Sequence, residues 1–274
     1  MSDLATVPDS TAAAALLDRA GRGVDRHLSD LLAHGAQDAS ACYLADPGAA
    51  HAARTDPVLY TAHRDILPPH RALGAEWFAD LCVYRSGQLP GGELNRSIGH
   101  WNTPAQLEVF DVLSGRILMI TAWYGVSGAP VLNWQVCEPG DLVAVPFGSW
   151  HQTSVLDGPA CVFNIYSDVP GAPQQHTSRH AAQHAEIKYR SSAPVEITAV
   201  RAAPGFALAG SRRGRDHWGR GVQVVEPSWL REAVGPQGLV ALHTSASAER
   251  LSLLVDAARA HLPQSWPSAG GERA

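Results

Sequence analysis

The spacing of apolar residues along this chain changes character twice. After Asp9-Ser10, the residues Leu16, Leu17, Val24, Leu28, Leu31 and Leu32 recur at the spacing of one helix face, with Asp9-Ser10 as the cap and Gly21 and Gly23 weakening the middle. Residues 35–57 lose that period, are rich in Ala, Asp and Gly, and read as an irregular connection. From Val58 to about Asp168 the pattern is that of strands. Within it, Glu108-Val109-Phe110-Asp111-Val112-Leu113 is a β-rich run ending at Ser114-Gly115. The segments 133–137 and 141–145 flank Glu138-Pro139-Gly140, which predicts a hairpin whose second strand runs into Pro146-Phe147-Gly148. Later, 195–200 and 221–225 read as short strands. Residues 246–262 read as a helix with Leu251, Leu254, Val255, Ala258 and Leu262 on one face.

These elements predict an all-β core with N- and C-terminal helical extensions. Residues 1–57 are expected to form a helical extension and connection, 58–170 a β barrel, 171–262 a second extension with short strands and a helix, and 263–274 a frayed tail. No internal repeat is present, so one barrel is expected and not two.

The chemistry concentrates in two places. Gly99-His100-Trp101-Asn102 leads to Glu108 and Gly115, and some forty residues after His100 comes Gly140-x5-Pro146-x-Gly148-x2-His151. Alternate residues of a strand share a face, so His100 and Asn102 point the same way. Glu108 projects from a neighbouring strand into the same cavity, and His151 follows the last turn directly. A small barrel holds such side chains on rigid supports, and its mouth is a usual place for a small-molecule site.

With both motifs in order, the chain resembles the cupins. Within them it is most similar to the metal-dependent glucose-6-phosphate isomerases, because Tyr84-x8-Glu93-x3-Ser97-x-Gly99-His100 and Glu108-Val109-Phe110 follow that family's order. The likeness covers roughly residues 55–170 and implies a single jelly-roll barrel. It also implies that His100, Glu108 and His151 bind one divalent metal ion (iron, manganese, nickel or zinc), with Glu108 also the catalytic carboxylate. Ser97 and Gly99 would lie at the substrate phosphate, with Tyr60 and Tyr84 as further substrate contacts. The sequence departs from the family at four points, one being that the stretch before Glu108 is a residue shorter than is usual there. Asn102 stands where the family has a second histidine, Phe110 replaces an aromatic hydroxyl, and the segment Ser167-Asp168-Val169-Pro170-Gly171 lacks the family's tyrosine. Asn102 is therefore a candidate fourth ligand of a weaker kind, since an amide oxygen binds late first-row metals less strongly than imidazole.

Composition narrows the partners. The chain has 274 residues, 45% of them hydrophobic and 17% charged, which suits a globular domain with extensions. A net charge of −5 disfavours a general nucleic-acid binder. Cys42, Cys82, Cys137 and Cys161 form no C-x-x-C pair, and neither a signal peptide nor a long apolar span is evident, so a cytoplasmic setting away from membranes is expected. The expected partner is a small-molecule substrate. The resemblance adds a homodimer, because this barrel family commonly pairs through its sheets.

Three reaction classes fit this reading. The first is aldose–ketose isomerisation of a sugar phosphate, in which the metal acts as a Lewis acid. The second is mononuclear non-haem iron oxygenation, suggested by two histidines and one carboxylate. The third is metal-free capture of a small ligand in the barrel mouth. Other features have plainer readings. His176, His180 and His184 fit an exposed polar helix, Arg212-Arg213-Gly214-Arg215 with Trp218 and Arg220 a solvated basic loop, and His63 and His70 structural positions.

Overall fold

The computed structural model describes residues 10–37, 43–72, 75–102, 106–125, 127–168, 195–245 and 248–263. Its centre is a barrel of two facing sheets that share two long strands, β6 (Gln106–Tyr124) and β9 (Trp150–Asp168). The first sheet contains β1 (Val24–His27), β2 (Val58–His63) and β4 (Ala75–Tyr84), then the second half of β9, the first half of β6, and β8 (Leu142–Val145). A short β3 (His70–Ala72) pairs back onto β4. The second sheet contains β5 (His100–Trp101), the first half of β9, the second half of β6, β7 (Pro130–Cys137) and β12 (Val222–Gln223). This is the single jelly-roll barrel that the sequence led us to expect.

β6 and β9 pass from one sheet to the other where their register slips, between Val112 and Ile117. Gly115 sits in that slip at φ +75°, and a Cβ there would stand 2.4 Å from the Pro159 carbonyl oxygen. Only a residue without a side chain lets the two strands cross so closely.

Alternation along the strands sorts the apolar residues into layers. Phe110, Val112, Met119, Val143, Val145, Val155 and Val162 fill the barrel interior. The opposite face of the first sheet, with Trp77, Leu81, Leu107, Val109, Phe163 and Ile165, is covered by helices Ser228–Val234, Gly238–Ser245 and Ala248–His261 through Leu230, Leu239, Leu242, Leu251, Leu254 and Val255. The outer face of the second sheet packs Leu118, Ile120 and Trp150 against Val195, Ile197 and Ala199, near the β10–β11 hairpin (Ile197–Ala202 and Gly205–Gly210), and against Trp218. The C-terminal extension thus serves to cover barrel faces that would otherwise meet water. Each fully buried Leu there contributes about 2 kcal/mol.

Three expectations about elements need correction. The long N-terminal helix is two shorter ones, Thr11–Leu17, capped by the Ser10 hydroxyl, and Leu28–Gln37, because Val24–His27 leaves the helix after Gly23 to pair with β2. The turn Glu138–Asp141 does not close a hairpin. β7 and β8 both run antiparallel to β6, end to end, with β7 on Ile117–Tyr124 and β8 on Glu108–Asp111, so the turn is a bulge spanning the register slip. The basic loop is a helix, Arg212–Trp218.

A buried ion pair fixes the connection ahead of the barrel. Arg96 and Glu93 pair out of contact with water, and Arg96 also donates to the Tyr43 carbonyl at 2.6 Å. The Glu93 carboxylate accepts from the Ala45 amide and from the Thr198 hydroxyl, which supplies the extra hydrogen bonds that a buried pair needs.

No helix among the described residues is long and apolar enough to cross a membrane, which says nothing of a membrane β-barrel.

Candidate metal centre

The two imidazoles come from the second sheet. Gly99, at φ +78°, turns the chain onto β9, and a Cβ there would meet the Trp150 ring at 2.7 Å. That close approach puts His100 directly opposite His151 in the β5–β9 pairing, with ring centroids 4.3 Å apart. The carboxylate comes from the facing sheet, where Glu108 lies between Val145 and Tyr166. One ligand atom from each of His100, Glu108 and His151 lies within 4.8 Å of the others, and His151 Nε2 is 3.6 Å from Glu108 Oε2. Two ligands held about 2.1 Å from one ion stand roughly 3.0–4.2 Å apart, so the His151–Glu108 spacing suits a shared cation. Glu108 and His151 are buried and His100 is half-buried, so the cluster has a wet side.

Two amides orient the carboxylate. Asn102, whose backbone N–H donates to the Ser149 carbonyl, gives its side-chain Nδ2 to Glu108 Oε2 at 2.9 Å. Asn164 gives its Nδ2 to Glu108 Oε1, also at 2.9 Å. Both oxygens are thereby held, the arrangement in which outer groups tune a metal ligand. The Oδ1 of Asn102 is buried with no hydrogen-bond partner among the described residues, so it is available to accept from a ligand or to bind a cation. The donor set of two imidazoles, one fixed carboxylate and one amide oxygen therefore fits a divalent transition metal.

Tyr60, Tyr84 and Ser97 form one interior group. Tyr60 stacks on Tyr84 at 5.1 Å, the Tyr84 hydroxyl bonds Thr153 and Ser97, and the Ser97 hydroxyl accepts from the Thr153 amide at 3.0 Å. Burial pushes the Tyr84 phenol well above its ordinary value, so it remains a proton donor.

The sequence reading missed two residues on the carboxylate's wall. Asn164 and Tyr166 share the inner face of β9, opposite Phe110 and Glu108 respectively. Tyr166 also stacks on Phe78 at 5.4 Å, and burial, reinforced by the Asp80 carboxylate, pushes its phenol far up. The signal lies in the alternation of Val162, Asn164 and Tyr166, one residue ahead of the segment 167–171 where the family resemblance puts a tyrosine. Beside Tyr166, the buried Asp80 receives the Arg64 guanidinium and the Asp65 amide. Cys82 lies on the same wall, opposite Val162, with its thiol pushed up to about 11 by burial.

Outside the centre, the arginines of Arg212–Trp218 are engaged internally. Arg213 pairs with Glu196 at 2.5 Å, Arg212 with Asp216, and Arg215 donates to the Gly210 carbonyl. His63 bonds the Gly21 carbonyl, and His70 meets His243 edge-on, in keeping with structural roles. Cys82, Cys137 and Cys161 are free thiols. Cys42, His176, His180 and His184 lie outside the described residues.

Comparison with protein-family models and with curated proteins finds no match. Among solved structures the chain is similar to a cupin-superfamily sugar phosphate isomerase from Silicibacter pomeroyi, at 15% identity over 56% of this chain and 77% of that one, with a TM-score of 0.29. It is also similar to KdgF from Halomonas sp., at 12% identity over 41% and 82%, with a TM-score of 0.28. For Peruvianin-I, a cysteine peptidase from Thevetia peruviana latex, the values are 14%, 40% and 61%, with a TM-score of 0.29, so the chain spans about three fifths of that protein's length. At these TM-scores the matches add nothing to the strand pairings, on which the fold assignment rests. The likeness to the glucose-6-phosphate isomerases rests on the sequence motifs alone.

Proposed function

We propose that this chain is a metal-dependent enzyme that interconverts an aldose and a ketose at the level of a sugar phosphate. The observation that carries the proposal is the convergence of His100 and His151 from one sheet with Glu108 from the other inside a single barrel. A divalent ion held by these three, with Asn102 Oδ1 as a fourth donor, would supply Lewis-acid polarisation of adjacent substrate oxygens. The residues do the rest. Glu108, fixed by Asn102 and Asn164, is the carboxylate placed to move a proton between neighbouring carbons. Tyr166, opposite it and kept protonated, donates to a substrate oxygen. Ser97 and Gly99 are the proposed phosphate contacts, with Tyr60 and Tyr84 lining the cavity beside them.

The test is metal analysis of native protein followed by an isomerase assay with sugar phosphates before and after chelation. Stoichiometric metal and chelator-sensitive interconversion support the proposal. Full activity after verified metal removal rejects it.

A second reading, oxygenation at mononuclear iron, is favoured by one feature. Asn102 replaces an imidazole and leaves two histidines and one carboxylate as the strong donors. Ferrous-dependent oxygen uptake supports this reading, and equal turnover with and without oxygen excludes it.

A further inference from the structure

The inner face of β6 carries a second polar residue two positions from Glu108. Gln106 stands two positions before Glu108, so the two side chains leave the strand on the same side, while Leu107 and Val109 between and after them pack into the outer layer. Gln106 is 1% exposed, and neither its Oε1 nor its Nε2 has a hydrogen-bond partner among the described residues. The Asn102 Oδ1, held next to Glu108 by its own amide nitrogen, is in the same condition. An amide buried with both its donor and its acceptor idle is costly in a folded protein and calls for an occupant.

We propose that Gln106 reads adjacent hydroxyl groups of the substrate. The inference rests on the metal-centred reading above and states what lies next to the ion. A hydroxyl both donates and accepts, and a carboxamide offers N–H donors beside a carbonyl acceptor. Gln106 Nε2 therefore gives to one substrate oxygen while its Oε1 takes the hydrogen of the neighbouring hydroxyl. An aliphatic chain placed there leaves both amide atoms unpaired, which is how a polar site rejects an analogue lacking its hydroxyls. The ligand class is a polyhydroxylated chain and not an apolar acid.

The experiment uses the full chain reconstituted with zinc, and calorimetry with two six-carbon carboxylates, gluconate and hexanoate. Wild-type protein is expected to bind gluconate about tenfold or more tightly than hexanoate. Gln106→Leu is expected to erase that preference while keeping hexanoate affinity and zinc content, and to leave the melting temperature of the free protein unchanged or higher, because it removes an unpaired buried amide. A preference that survives Gln106→Leu overturns the proposal, as does a fall in melting temperature or failure to fold, either of which makes the amide a structural group. The same titrations on chelated protein separate the two readings. A chain that takes no zinc yet prefers gluconate sinks the metal centre and upholds the Gln106 amide, whereas zinc-loaded wild type without the preference does the reverse.

Discussion

Glu108 and Tyr166 face each other across the β6–β9 ladder, on the side of the barrel that carries the two histidines of the opposing sheet. The pairing puts a carboxylate and a phenol on one wall of the barrel interior, and burial keeps the phenol protonated. Tyr166→Phe removes one hydroxyl and keeps the ring that stacks on Phe78. The expected outcome is a fall in kcat of about 100-fold with metal content and KM little changed, read by steady-state kinetics and elemental analysis. An unchanged kcat would remove Tyr166 from the mechanism.

Asn164 would act on a bound metal through Glu108. Its amide holds Oε1 while Asn102 holds Oε2, so Asn164→Ala frees one side of the carboxylate to rotate. Metal affinity is expected to drop about 10- to 100-fold, measured by competition with a chromophoric chelator. Asn164→Asp is expected to weaken binding also, because the replacement oxygen cannot donate to Glu108 at neutral pH.

The barrel was legible in the sequence because alternation and turn residues are local, and the two motifs placed His100, Glu108 and His151 correctly relative to one another. What was not legible depends on pairing. The turn at Glu138–Asp141 carries hairpin residues, yet whether its flanking strands pair with each other or line up along β6 is decided by the register slip near Gly115, in a different strand and outside any local signal in the turn itself. Val24–His27 follows helical spacing but joins the sheet, since the free edge of β2 offers more hydrogen bonds than continuing a helix past Gly21 and Gly23. Tyr166 and Asn164 acquire meaning only once β9 lies against β6.

The crossing of β6 and β9 should be sensitive to a single methyl group. Gly115→Ala forces φ +75° on a residue with a Cβ and drives that atom against the Pro159 carbonyl and the Ala160 backbone. A loss of about 2–4 kcal/mol is expected in denaturant unfolding. Gly158→Ala is the control, because its φ of +63° carries the backbone penalty while a Cβ there meets nothing within 4 Å. It is expected to cost about 1 kcal/mol. Equal losses at the two sites would show that the crossing tolerates a side chain.

His243 gives the fold a dependence on pH. It is fully buried under the first sheet, edge-on to His70, and burial followed by the His70 charge lowers it to about 4 from an ordinary 6.5. Between those values the unfolded chain binds a proton that the folded chain refuses, so this residue's support is complete above pH 6.5 and is lost as pH falls towards 4. At about 1.4 kcal/mol per pH unit for one proton, the full loss is about 3 kcal/mol. Asp111, raised to about 6 mainly by burial, works the other way, since the folded state holds its proton where the unfolded state has released it. The two slopes partly cancel in wild-type protein, and substitution separates them. The stability of His243→Leu relative to wild type, from urea unfolding at pH 7 and at pH 4.5, is expected to rise by about 2–3 kcal/mol on acidification. A difference that stays flat with pH would mean that the imidazole reaches water or a proton acceptor in the folded state.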